Sequence, residues 1–272
     1  MKRILTLVLA ALMLCSMTVC FASCGSDKKV ISVGYTDYPP MNYLDENNEL
    51  VGFDTELAEA VFTNLGYDEV VFKLIKWENR YTELSSGNVD CLWNGFTANT
   101  ADEDGVMRAE KVDFSYNYME NRQVIVVKAD QIAVLEASSA DKANILKDKI
   151  GYVEASSAGA GYAAEFKGAI IKEATKQTDA IMQVKSGAAY FAVVDAQLAK
   201  SLAGKGDYAD LAIYDALSSD VEYYAVGFEK GSELTAQVNA QFEALAADGT
   251  LMALAEKYEV ETTVVTDFSD QK

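Results

Sequence analysis

The same order of short apolar runs and helical patterns occurs twice along this chain, and that recurrence leaves few folds open. Residues 30–34 read as a strand. A helix follows that buries Leu57, Ala58, Val61, Phe62 and Leu65, with Asp54 as its N-cap and Gly66 as its stop. A strand over 70–75, a helix over 80–85, the turn Ser86-Gly87 and a strand over 90–93 complete the first unit. The second unit repeats this with a strand over 149–153 and a helix capped by Ser156 or Ser157. A strand at Ile170 and Ile171, a helix opened by Thr178 or Asp179, the turn Ser186-Gly187 and a strand over 190–194 then follow. Strands alternating with helices imply largely parallel sheets covered by helices.

Strong strands over 123–127 and 223–228 read as crossings between the two units. On that reading residues 30–125 and 226–272 form one lobe and 126–225 the other. The helix after Ser232, with Leu234, Val238, Phe242 and Leu245 on one face, returns to the first lobe. Two strands joining two α/β lobes make a hinge, and ligands favour the crevice at the C-terminal strand ends.

Composition removes whole classes of function. Lys and Arg total 23 against 42 Asp and Glu, a net charge of −19 that repels phosphate backbones, so no nucleic acid partner is expected. With no histidine in the chain, a Ser-His-Asp triad, a Cys-His pair and a His-ligated zinc are excluded. No metal and no cofactor are expected.

The first residues read as a targeting segment. Lys2 and Arg3 precede an apolar run over 4–19, and Phe21-Ala22-Ser23-Cys24 then resembles the site at which a cysteine is acylated and the peptide cut before it. Phe21 departs from the usual Leu there, and Cys15 is a weaker competitor. Residues 1–23 are thus expected to be a signal peptide, with Cys24 lipidated and 24–29 a tether. Their removal takes away two cations and no acid, leaving 21 cations against 42 acids and a charge of −21. Cys91 then has no partner for an internal disulfide and is expected to pack in the core.

Several motifs carry a family resemblance. Tyr38-Pro39-Pro40-Met41-Asn42-Tyr43 is followed by Glu49-Leu50-Val51-Gly52-Phe53-Asp54 and Ser86-Gly87-Asn88-Val89-Asp90. Asn94-Gly95-Phe96-Thr97, then Asp113-Phe114-Ser115-Tyr116-Asn117-Tyr118, and finally Ala247-Asp248-Gly249-Thr250 come after them. In this order the chain resembles the polar amino-acid-binding proteins of ABC importers, solute-binding protein family 3. The resemblance implies an α/β, two-lobed periplasmic-binding-protein-like fold of type II. It also implies a free amino acid as ligand, ABC permease subunits as partners, a monomeric state and a place outside the cytoplasm, on the outer face of the membrane or in the periplasm.

An amino acid loses water at both its charged groups when such a cleft closes, so the site must supply a cation and an anion. By the resemblance Arg108 takes the ligand carboxylate, through the planar fork that suits it, helped by Gly95, Thr97 and Ser157. Asp195, at the end of the apolar run 191–194, takes the ammonium. Tyr38 and Trp77 flank the ligand side chain, with Tyr35, Asn94 and Glu154 as polar contributors, although Trp77 reads equally well as core and Glu154 as solvated. Glu154 stands where glutamine is common, which favours a ligand with a donor or a positive charge.

One departure stands out. Thr97 and Arg108 are eleven residues apart, which places an insertion of about six within 99–106 and removes the family's proline there. The alternatives are a dehydratase-like enzyme on the same fold, with Glu154 as general acid, and an amino-acid sensor.

Overall fold

The computed structural model describes residues 28–271; the signal peptide, Cys24 and most of the tether lie outside them. The strands are β1 (Val30–Tyr35), β2 (Tyr43–Leu44), β3 (Leu50–Val51), β4 (Glu69–Leu74), β5 (Cys91–Leu92), β6 (Asp113–Phe114) and β7 (Met119–Asn121). The remainder are β8 (Gln123–Lys128), β9 (Ile150–Glu154), β10 (Ile170–Ala174), β11 (Phe191–Asp195), β12 (Leu211–Tyr214), β13 (Glu222–Tyr224) and β14 (Gly227–Phe228).

Two five-stranded sheets result, ordered β4-β1-β5-β14-β6 and β10-β9-β11-β8-β12. Pairing along both runs parallel, parallel, antiparallel, antiparallel. The fourth position of each sheet is filled by the strand that has just crossed from the other lobe. Strand β8 follows β7 into the second sheet, and β14 follows β13 into the first. Between the sheets β7 and β13 pair antiparallel, Asn121 opposite Glu222, Glu120 opposite Tyr223 and Met119 opposite Tyr224.

Helix Phe53–Asn64 covers the first sheet, turning Leu57, Ala58, Val61 and Phe62 inward. Helices Leu234–Ala247 and Thr250–Lys257 pack against it. Phe242 meets Trp93 and Tyr118 there, at ring separations of 5.7 and 5.8 Å. In the second sheet β8 and β11 are buried along almost their whole length, which is why they read as unbroken apolar runs. Cys91 is fully buried on β5.

Three sequence expectations are corrected. Gln123, Val124 and Ile125 pair with β11 and so belong to the second sheet, and the crossing lies just before them. The run 223–228 is two short strands, one in the hinge and one in the first sheet. Asp54 is not the N-cap of its helix. Gly52 holds that position at φ 133, where a Cβ would sit 2.1 Å from the Met41 carbonyl oxygen, so no other residue fits. Among the described residues no helix is long and apolar enough to cross a membrane.

Candidate functional site

The second lobe brings its polar residues to the C-terminal ends of its parallel strands. Glu154 ends β9, Asp195 ends β11, and Gln177 opens the helix Gln177–Ser186 that follows β10. Ser157 caps the helix Ala158–Ala163, its hydroxyl accepting from the Ala160 N–H at 3.1 Å. In the first lobe the chain leaves β5 through Trp93, Asn94 and Gly95. A Cβ on Gly95, at φ 57, would lie 2.7 Å from the Tyr38 ring, so the backbone needs glycine to make this approach.

These ends meet across the cleft. Trp77, Asn94, Gly95, Thr97 and Arg108 face Glu154, Ser157, Ala158, Gln177 and Asp195 around a cavity of about 20 Å³. That is room for about one water molecule, so a free amino acid enters only when the lobes part. A larger cavity of about 310 Å³ lies between the helices Ala196–Leu202 and Thr250–Lys257 and is lined by none of these residues. Size alone therefore does not mark the site.

Arg108 is 1% exposed. Its Nε donates to Asp102 Oδ1 at 2.8 Å and its Nη1 to the Thr97 carbonyl at 3.2 Å. Asp195 is also buried, and amide groups surround it. Asn121 Nδ2 and Gln123 Nε2 each donate to Oδ1 at 2.6 Å, and Gln177 Nε2 donates to Oδ2. Burial still outweighs these bonds and raises its pKa.

Two more carboxylates lie close by. Glu222, on hinge strand β13, accepts from Gln123 Nε2 at 2.8 Å and from Asn121 Nδ2 at 3.3 Å. Burial, with the Asp195 charge, pushes it up to about 7. Glu154 is 4% exposed, and its Oε1 has no hydrogen-bond partner among the described residues. Burial and the Asp195 charge push it up to about 8, against the pull of Arg80. Three carboxyl groups thus lie close together, Glu154 and Asp195 lining the cavity and Glu222 beside them on the hinge strand.

The other expected residues fall into two groups. Trp77 and Ser157 line the cavity, Trp77 with its ring edge-on to Phe96 at 4.9 Å. Asn94 and Thr97 also line it, with their polar groups already engaged. Asn94 bonds Thr36 and Asn42 through both ends of its amide, and the Thr97 hydroxyl donates to Glu222 at 3.4 Å. The Gly95 N–H, implied by the resemblance as a carboxylate donor, is given instead to Asp54 Oδ2 at 2.7 Å. Tyr38 and Tyr35 do not line the cavity. Tyr38 stands behind Gly95 with its hydroxyl 2.6 Å from that of Tyr224, and Tyr35 packs edge-on against Phe72 at 6.2 Å.

Asp102, Asn121, Gln123, Gln177 and Glu222 were not legible as site residues. Each contributes through partners distant in sequence, and the one local hint was polar residues flanking the apolar β8. Among the described residues no group of His, Cys, Asp and Glu is placed to hold a metal ion.

Comparison with known proteins gives consistent results. The sequence profile of bacterial extracellular solute-binding proteins, family 3, matches residues 31–261. The arginine-binding extracellular protein ArtP of Bacillus subtilis is 28% identical over 263 residues, covering 95% of this chain and 98% of that protein. The L-cystine-binding protein TcyA of the same organism is 26% identical over 237 residues, 85% of this chain and 81% of the relative. Among solved structures, an ancestral arginine-binding protein bound to arginine superposes with a TM-score of 0.73 at 29% identity, over 85% of this chain and 98% of that one.

Proposed function

This chain belongs to the bacterial extracellular solute-binding proteins of family 3, the components that hand polar amino acids to ABC importers, and from that premise we propose that its own cargo is an amino acid with a cationic side chain. The observation that carries the choice is the unpartnered Oε1 of Glu154, buried at the cleft beside Asp195 and Gln177. A guanidinium or ammonium there would displace the proton that burial keeps on Glu154 and pair with the carboxylate left behind, a gain that a neutral side chain does not have. The similarity to arginine- and cystine-binding proteins supports the same reading, since each of those ligands carries more than one positive group.

In this mechanism Arg108 takes the α-carboxylate from the first lobe and Asp195 the α-ammonium from the second. Each charge needs the other lobe to complete its burial, so the ligand favours the closed form by its difference in affinity for the two states. Ser157, at its helix start, adds to the carboxylate side, Trp77 forms an apolar wall, and Glu154 takes the cationic end. The permease then receives the closed form. Acylation of Cys24 holds the protein at the membrane face, and in a Cys24→Ala variant it is expected to leave the membrane fraction for the medium or periplasm.

A thermal-shift screen of protein stripped of carried-over ligand tests the cargo. Arginine, lysine, ornithine and cystine should stabilise it, a ligand at a hundred times its Kd adding about 2.7 kcal/mol. Glutamate and leucine should not. A shift with neutral or acidic amino acids alone would sink the cationic reading. Breakdown of the bound ligand would instead favour a dehydratase-like enzyme, for which a Glu154 carboxyl protonated at neutral pH is the general acid.

A further inference from the structure

The insertion that separates Thr97 from Arg108 folds into a tight hairpin. Ala101 bridges to Met107, the Asp102 N–H donates to the Val106 carbonyl at 2.9 Å, and Gly105 turns at φ 77. The hairpin places Asp102 inward, its side chain only 8% exposed. Oδ1 accepts from Arg108 Nε at 2.8 Å and from Arg80 Nη2 at 2.6 Å, while Oδ2 accepts from the Tyr81 hydroxyl at 2.6 Å and from Lys111 Nζ at 2.9 Å. One carboxylate from the inserted segment therefore ties together three cations and a phenol.

We propose that Asp102 is the positioning residue for Arg108, fixing which end of the guanidinium faces the cleft. A guanidinium has five N–H donors. With Nε held by Asp102 and one Nη1 proton by the Thr97 carbonyl, the remaining three project from the Nη end. That end is the one a ligand carboxylate can grip in a fork. Without Asp102, Arg80 and Arg108 would be two buried like charges with nothing between them, and the fork would swing to relieve the repulsion. Within the ion-paired cluster itself, Arg80, Arg108 and Lys111 stand against Asp102 and Asp104, an excess of one positive charge. Arg80 in turn stacks over Tyr81 at 4.4 Å and over Trp77 at 5.2 Å, so the same carboxylate couples the cleft's aromatic wall to its carboxylate-binding arm. An oriented guanidinium meets its ligand without first losing rotamer freedom, which is where preorganisation gains affinity.

The proposal rests on Arg108 as the partner of the ligand carboxylate, and the test separates the two. Titration calorimetry is run with L-arginine, L-lysine and L-cystine and with their decarboxylated amines agmatine, cadaverine and cystamine, on wild type, Asp102→Asn, Asp102→Glu and Arg108→Ala. Wild type is expected to favour the amino acid over its amine. Asp102→Asn should lower affinity for the amino acid by about tenfold or more while the amine's affinity stays within about twofold. A merely structural role would weaken both alike. Asp102→Glu keeps the charge cluster intact and serves if the Asn variant does not fold. Its longer arm misplaces Nε and should erode the amino acid's advantage over the amine. If Arg108→Ala leaves the amino acid's affinity unchanged, the assignment of Arg108 fails. If Arg108→Ala abolishes binding while both Asp102 variants keep the wild-type preference, Asp102 does not position it. Binding of none of the three pairs would overturn both.

Discussion

Glu154 carries a proton in the folded protein over a range of pH in which an ordinary glutamate has lost it, because burial and the charges of Asp195 and Asp179 oppose its ionisation more than Arg80 favours it. Its pKa rises from 4.5 to about 8. Below about 4.5 both folded and unfolded chains hold the proton, and the contribution to stability is complete. Between about 4.5 and about 8 only the folded chain holds it, so stability is lost as pH rises through that window. Melting curves from pH 5 to 8.5 should show the loss, and Glu154→Gln should reduce it. A cationic ligand favours the ionised form and expels the proton, so affinity for arginine should rise from pH 6 to 8 and flatten in the same variant. Removing Arg108 or Asp195 as alanine strands the ligand's opposite charge and should cost about 2–5 kcal/mol of binding by calorimetry. Gly95→Ala adds a Cβ 2.7 Å from the Tyr38 ring at a φ of 57, which should destabilise the protein by about 1–3 kcal/mol in urea.

At the scale of elements, the strands and helices were legible wherever their pattern is local. The helix Phe53–Asn64 and the buried runs of β8 and β11 follow from their apolar pattern, and the turn at Gly187 from its glycine. What the sequence hides is pairing at a distance. Gln123 could be placed in the second sheet only by knowing that it lies opposite Asp195. Asp54 has the type and position of a cap, but its carboxylate turns to the N–H of Gly95 and the hydroxyl of Tyr118. Arg108, Glu154 and Asp195 are named through the resemblance, and the structure places all three around the small cavity between the lobes. The amides that hold Asp195, and the carboxylate that holds Arg108, were not legible, since no spacing announces them. Gly151 offers a test at this scale: a Cβ there would lie 2.2 Å from the Phe191 ring, where β9 meets β11. Gly151→Ala should therefore destabilise the second lobe by about 1–3 kcal/mol, with hydrogen exchange accelerating in β9, β10 and β11 before the first sheet.

For the molecule as a whole, the consequential feature is the ladder of β7 on β13, where each crossing strand runs straight on into the opposite sheet. A door hung on two pins swings in one plane. Two paired strands should likewise favour a single arc over twist and sliding, so closure is expected to follow one path whatever the cleft contains. Spin labels on the two lobes should then report the same pair of separations, open and shut, for every cargo that binds, differing only in how often each is occupied. On the proposed function, a permease that gauged only the arc would be told that the door is shut and nothing of what stands behind it, and choice of cargo would fall to the cleft.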